Sequence, residues 1–172
     1  APLNIGFAGT IAPHKGLHIL LKALHGLPKE SFCLNIAGAS NHHNYNTQLK
    51  ELAVGLNINW LGSISEKSMV DFIDSMDIIV VPSLSPENQP QVILESHARN
   101  TPVICADMPG CAELVDSSLV YGAQSPYQLT KLLALWRENP YYKKNSGVLT
   151  RSETSQRIRN VYINLLGDPT CF

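Results

Sequence analysis

Short apolar runs alternate with amphipathic stripes along most of this chain, and that alternation leaves few folds open. The runs LNIGFAG (3–9), FCLNIAG (32–38), INWLG (58–62), DIIVVPS (77–83), PVICAD (102–107) and LVY (119–121) read as buried parallel strands. Between them Leu17, Leu20, Leu21 and Leu24 recur at i, i+3, i+4 and i+7, as do Leu129, Leu132, Leu133 and Trp136. Ser125 followed by Pro126 supplies a cap and a first-turn proline for the second of these helices. Strand–helix alternation repeated this often predicts an α/β chain with a doubly wound parallel sheet and helices on both faces. A last stripe, Ile158, Val161, Tyr162 and Leu165, predicts a terminal helix packing back on the sheet, and the polar stretch 139–150 reads as an excursion or short linker before it. With no repeat and no low-complexity tract, residues 1–172 read as one domain.

Composition excludes several partners. A formal net charge of −1 gives no positive field for nucleic acid or an anionic membrane surface. No apolar stretch reaches the roughly 18 residues that a membrane-crossing helix needs, and the N-terminus lacks the layout of a signal peptide. Cys33, Cys105, Cys111 and Cys171 show no C-x-x-C spacing, which predicts free thiols and a cytoplasmic chain. The sequence opens directly on a core strand without an initiator Met, so it is expected to be part of a longer protein.

Ligands of doubly wound sheets bind at the carboxyl ends of the strands, which directs attention to the loops there. GTIAPHKG (9–16) is not a Walker loop, and G-x-G-x-x-G is absent. It offers a bend at Gly9 and places Lys15 at a helix start, where backbone N–H groups favour an anion. Taken alone, an exposed loop lysine is the plainer reading. SPENQPQVILES (85–96) carries Glu87 in a loop and Glu95 inside a helix predicted over 91–98, with Pro90 at its start. The two carboxylates would bracket a ligand about 10 Å long whose phosphates sit at the helix N-terminus. The alternative is a pair of solvated glutamates, against which Val92, Ile93 and Leu94 predict that Glu95 is buried and in need of a partner.

The ordered set G-x-x-x-x-x-K-G (9–16), a strand ending in Gly38, the L-G of 61–62, D-I-I-V-V-P-S (77–83), E-x₇-E (87–95), P-V-I (102–104) and P-G-x-x-E-L-V (109–115) resembles the nucleotide-sugar-binding half of a GT-B glycosyltransferase. It is most similar to the retaining glycosyltransferase family four, also described as glycosyl transferases group one, over residues 3 to about 135. The resemblance implies a Rossmann-like fold, one half of a GT-B enzyme, with the acceptor domain of the parent protein absent. It implies that Lys15 contacts the diphosphate, Glu87 faces the transferred sugar and Glu95 holds the ribose hydroxyls. The N–H groups of Gln91 and Val92 would meet the distal phosphate, and the base would lie against Gly62, Ser63 and Ile64. Gly9, Thr10, Gly38 and Pro90 complete the implied substrate site, and Lys15 and Glu87 its catalytic pair. Glu113 is expected to cap its turn.

Departures touch the same site. Many members have arginine where Thr10 stands, which removes a phosphate-binding cation. Gln89 and Pro90 replace an aromatic residue and a glycine beside the donor sugar, and Pro109-Gly110 alters a further glycine-rich pair.

The six histidines do not form a metal site by spacing: His42 and His43 are adjacent, and no D-x-D is present. The family works without a metal or other cofactor, and none is expected. The implied function is transfer of a sugar from a nucleotide diphosphate sugar (UDP-linked by default, GDP- or ADP-linked otherwise) to a growing surface glycan or lipid-linked acceptor. Lipopolysaccharide is one such product. Two alternatives stay open: a non-catalytic nucleotide-sugar-binding module, and another enzyme of this architecture such as a nucleotide-sugar epimerase.

Overall fold

In the computed structural model, residues 1–138 are described, so the expected helix around Ile158–Leu165 and the stretch 139–150 lie outside the described residues. Six strands form one parallel sheet: β1 (Leu3–Ala8), β2 (Phe32–Ala37), β3 (Ile58–Gly62), β4 (Ile78–Val81), β5 (Val103–Ala106) and β6 (Val120–Tyr121). Their spatial order is β3-β2-β1-β4-β5-β6, with every neighbouring pair parallel. This is the doubly wound, Rossmann-like arrangement, in which strand order reverses between β1 and β4. The helices are α1 (Leu17–Leu24), α2 (His43–Leu52), α3 (Glu66–Asp74), α4 (Gln91–Ala98) and α5 (Pro126–Glu138). Helix α1 packs against α2 and α5, while α3 packs against α4, giving the two helical layers.

Local chemistry explains the boundaries. Burial of Leu17, Leu20, Leu21 and Leu24 on the sheet fixes the inward face of α1. The Ser65 hydroxyl accepts the Ser68 N–H at 3.1 Å and so starts α3. Helix α5 begins on Pro126 as its sequence indicates, with Ser125 Oγ accepting from Gln128 N at 3.3 Å, and Thr130 ties it to α1 through the Ala23 carbonyl at 2.7 Å.

One strand expectation is corrected. INWLG forms β3, yet it is not buried: Trp60 and Leu61 are 44% and 46% exposed. Among the described residues the strand is the sheet's edge and pairs with β2 alone, so an apolar run that fits a central strand here lies at a border.

His97, on α4, is half-buried and does not line the cleft that Glu95 lines. Its Nε2 bonds the Leu114 carbonyl at 2.8 Å, while Nδ1 is buried with no hydrogen-bond partner. Burial pushes its pKa down from 6.5, and the Leu114 carbonyl opposes this only in part. The unfolded chain therefore binds the proton more readily, so stability falls as pH drops below about 6.5. Urea midpoints at pH 7.5 and 5.5 should differ, and His97→Gln should narrow the gap. His18, shifted the same way by burial and then Lys22, retains part of it. An unchanged gap would remove His97 from the acid response.

Candidate functional site

The reversal between β1 and β4 opens a crevice at their carboxyl ends, and two loops furnish its walls. After β1 the chain makes a 3-10 turn over Pro13–Lys15 that ends on Gly16, whose φ is 70°. This turn docks onto the loop after β4: Leu84 N donates to the His14 carbonyl at 2.7 Å. A Cβ on Gly16 would stand 1.8 Å from the Pro82 carbonyl oxygen, so only glycine lets the two backbones approach this closely. After β4 the second loop carries Glu87, whose N–H donates to the Pro109 carbonyl at 2.9 Å. Gly110 lies under it with φ 85°, where a Cβ would fall 1.7 Å from the Glu87 carbonyl oxygen. The Gly110 N–H in turn donates to Glu113 Oε2 at 2.7 Å, the turn-capping role expected of Glu113.

These supports bring Lys15 and Glu87 into direct contact. Lys15 Nζ lies 2.7 Å from Glu87 Oε1 and 2.9 Å from Oε2. Ser83, buried at the end of β4, donates its hydroxyl to Oε1 at 2.6 Å. Burial alone would raise the Glu87 pKa, but the hydrogen bonds from Lys15 and Ser83, with the charges of Lys15 and His14, outweigh it and hold the carboxyl below its ordinary value. Sequence reasoning assigned Lys15 and Glu87 to different parts of a ligand and missed both their pairing and Ser83. The available signal was a serine at a strand's carboxyl end, four positions before an acid.

The pair opens into a cleft of about 850 Å³ that runs between α3 and α4. Gly9, Thr10, Lys15, Ile64, Glu87, Pro90, Gln91, Val92 and Glu95 all line it. Gly38 and Ser63 do not. Gly38 has a packing role, since a Cβ there would be 1.9 Å from the Gly9 carbonyl oxygen. Ser63 is exposed beyond the rim. The expectation of a buried Glu95 is corrected: α4 buries only Ile93 and Ser96, and Leu94 is 44% exposed. Glu95 is exposed on the cleft side, because an eight-residue helix lying against the sheet covers only its i, i+3 face.

Helix α4 starts after Pro90, and no side chain caps its first turn. Its leading N–H groups therefore stand at the cleft wall without a side-chain cap, the geometry that at helix starts generally favours an anion. Gln89, just before, holds φ at 53°, a left-handed backbone rare outside glycine. Among the described residues no group of three His, Cys, Asp or Glu side chains converges as a metal would require. Cys33, Cys105 and Cys111 are free, and burial pushes the Cys111 thiol up to about 11, which leaves it protonated at neutral pH.

The family described as Glycosyl transferases group 1 matches residues 2–149. The chain is 29% identical over 142 residues to the D-inositol 3-phosphate glycosyltransferase of Corynebacterium glutamicum (strain R), covering 76% of this chain and 34% of that protein. Among solved structures it resembles Anabaena HepE in complex with UDP-glucose, with TM-score 0.78, 22% identity, and coverage of 95% of this chain and 47% of that one. It also resembles the C-terminal domain of a group 1 glycosyl transferase (LpcC) from Francisella tularensis, with TM-score 0.72, 18% identity, and coverage of 85% and 81%. The chain thus spans about a third of the curated relative and half of the Anabaena chain. The sheet order is that of one half of a GT-B enzyme, and the family match takes in both loops that carry Lys15 and Glu87: the chain belongs to the group 1 glycosyl transferases.

Proposed function

We propose that this chain is the donor-binding part of a retaining glycosyltransferase, with a nucleotide diphosphate sugar as donor and a UDP-sugar as the first choice. The observation that carries this reading is one cleft holding a lysine, a carboxylate paired to it, and an uncapped helix start. A departing diphosphate accumulates negative charge, and an ammonium together with fixed N–H dipoles stabilises that charge without a metal. The diphosphate lies between Lys15 and the Gln91–Val92 turn, the transferred sugar meets Glu87, and the ribose hydroxyls meet Glu95. Ile64, on the cleft wall, faces the base. The solved complex of the Anabaena relative with UDP-glucose supports a nucleotide-sugar ligand for this fold.

The acceptor, a growing glycan or lipid-linked sugar, binds mainly to parts of the parent protein outside this chain. Calorimetric titration with UDP, GDP and ADP tests the reading. One of the three should bind with measurable heat, and its identity names the base. Silence from all three would favour a module that has lost its donor, for which Thr10 on the cleft wall is the structural argument.

A further inference from the structure

The two oxygens of Glu87 are not equivalent. Oε1 accepts from Lys15 at 2.7 Å and from Ser83 at 2.6 Å, whereas among the described residues Oε2 accepts from Lys15 alone, at 2.9 Å. The two donors also differ in how firmly they are held. The Lys15 ammonium ends a flexible four-carbon stem whose side chain is 29% exposed. Ser83 is 2% exposed, lies two residues past β4, and makes its only side-chain hydrogen bond among the described residues to Glu87. A diphosphate entering the cleft competes for the lysine. Ser83 borders the same cleft but, being 2% exposed, offers an entering anion little surface.

Resting on the proposed donor site, we infer that Ser83 is the positioning residue for Glu87. It holds Oε1 in place while Oε2 exchanges Lys15 for a hydroxyl of the donor sugar. The need for such an anchor follows from charge. Once Lys15 turns to the diphosphate, Glu87 faces a second anion with its counter-ion gone, and an unrestrained carboxylate would rotate away or take up a proton. A buried hydroxyl at 2.6 Å opposes both, because it bonds the ionised form and fixes one oxygen. The backbone of the loop is held independently, by Glu87 N–H on Pro109 and by the close approach of Gly110. The hydroxyl is thus left to orient the side chain.

Ser83→Ala removes one oxygen without touching that backbone support, and Ser83→Thr keeps the hydroxyl. Nucleoside diphosphates and a panel of their sugar conjugates are titrated by calorimetry into the wild type and both variants. In the alanine variant the free diphosphate should bind within about twofold of wild type, while the sugar conjugate weakens by about tenfold; threonine should restore it. In the nucleotide-free protein, carbon-detected NMR of labelled glutamate should show the Glu87 titration moved upward in Ser83→Ala. Equal weakening of diphosphate and conjugate would make the hydroxyl merely structural and overturn the inference, as would no weakening of either. An unmoved Glu87 titration overturns it whatever the nucleotides do. A wild-type chain that binds no nucleotide overturns the donor reading itself and takes the sugar-positioning role with it, a result distinct from a failed Ser83 effect.

Discussion

Lys15→Ala in the full-length enzyme should lower kcat/KM by about 10²–10³, the scale of removing one preorganised donor from a developing anion. The expectation follows from the double duty of the ammonium. In the ligand-free protein it neutralises Glu87, whose side chain is only 14% exposed, and in the proposed complex it meets the diphosphate. Truncation therefore removes a cation from the leaving group and also leaves a carboxylate facing that group unscreened. Because both losses pass through Glu87, the pair should be non-additive: Lys15→Ala combined with Glu87→Gln should bind free diphosphate more tightly than Lys15→Ala alone. Lys15→Arg should recover little, since a guanidinium is bulkier than the ammonium and its planar fork would hold both Glu87 oxygens rather than turn to the diphosphate. Steady-state kinetics with calorimetry of the variants decide the matter. An unchanged kcat/KM for Lys15→Ala would remove the diphosphate from this position.

Gly16→Ala should destabilise the fold by about 2–4 kcal/mol, summing a left-handed backbone penalty and a steric one. Gly62 supplies the control. Its φ of 68° nearly equals the 70° of Gly16, yet a Cβ there meets nothing within 4 Å, whereas at Gly16 it lies 1.8 Å from the Pro82 carbonyl oxygen. Gly62→Ala should therefore cost only the backbone part, about 1–2 kcal/mol. Urea denaturation of both variants isolates the difference as the cost of separating the β1 and β4 loops. Equal losses at the two positions would show that this close approach carries no stability. The same separation should move Lys15 off Glu87, so Gly16→Ala should also lose nucleotide affinity, and Gly62→Ala should do so less.

Helix α4 and strand β3 show where reading the chain alone falls short. The span 91–98 is legible because proline and an apolar run mark its start, and the structure returns Gln91–Ala98. Which side of that helix is covered depends on what it lies against, and Glu95 turned out exposed. INWLG has the composition of a central strand, but strand composition does not encode position in the sheet, and β3 is an edge. At the candidate site, residue types and order were sufficient to bring Lys15, Glu87, Gln91, Val92 and Glu95 into one list, and all five line one cleft. The list carried no distances between them.

What the amino-acid order determined by itself is periodic or local: alternating strand and helix stripes, caps and prolines at helix starts, and glycines at the turns that carry the loops. These depend on neighbours a few positions away, so they survive in a linear reading. The Lys15–Glu87 contact spans 72 positions, and the Ser83 anchor matters only because that contact exists. Such features were decided by the tertiary structure alone, because they arise where strand order reverses and two loops are pressed together across the β1–β4 boundary.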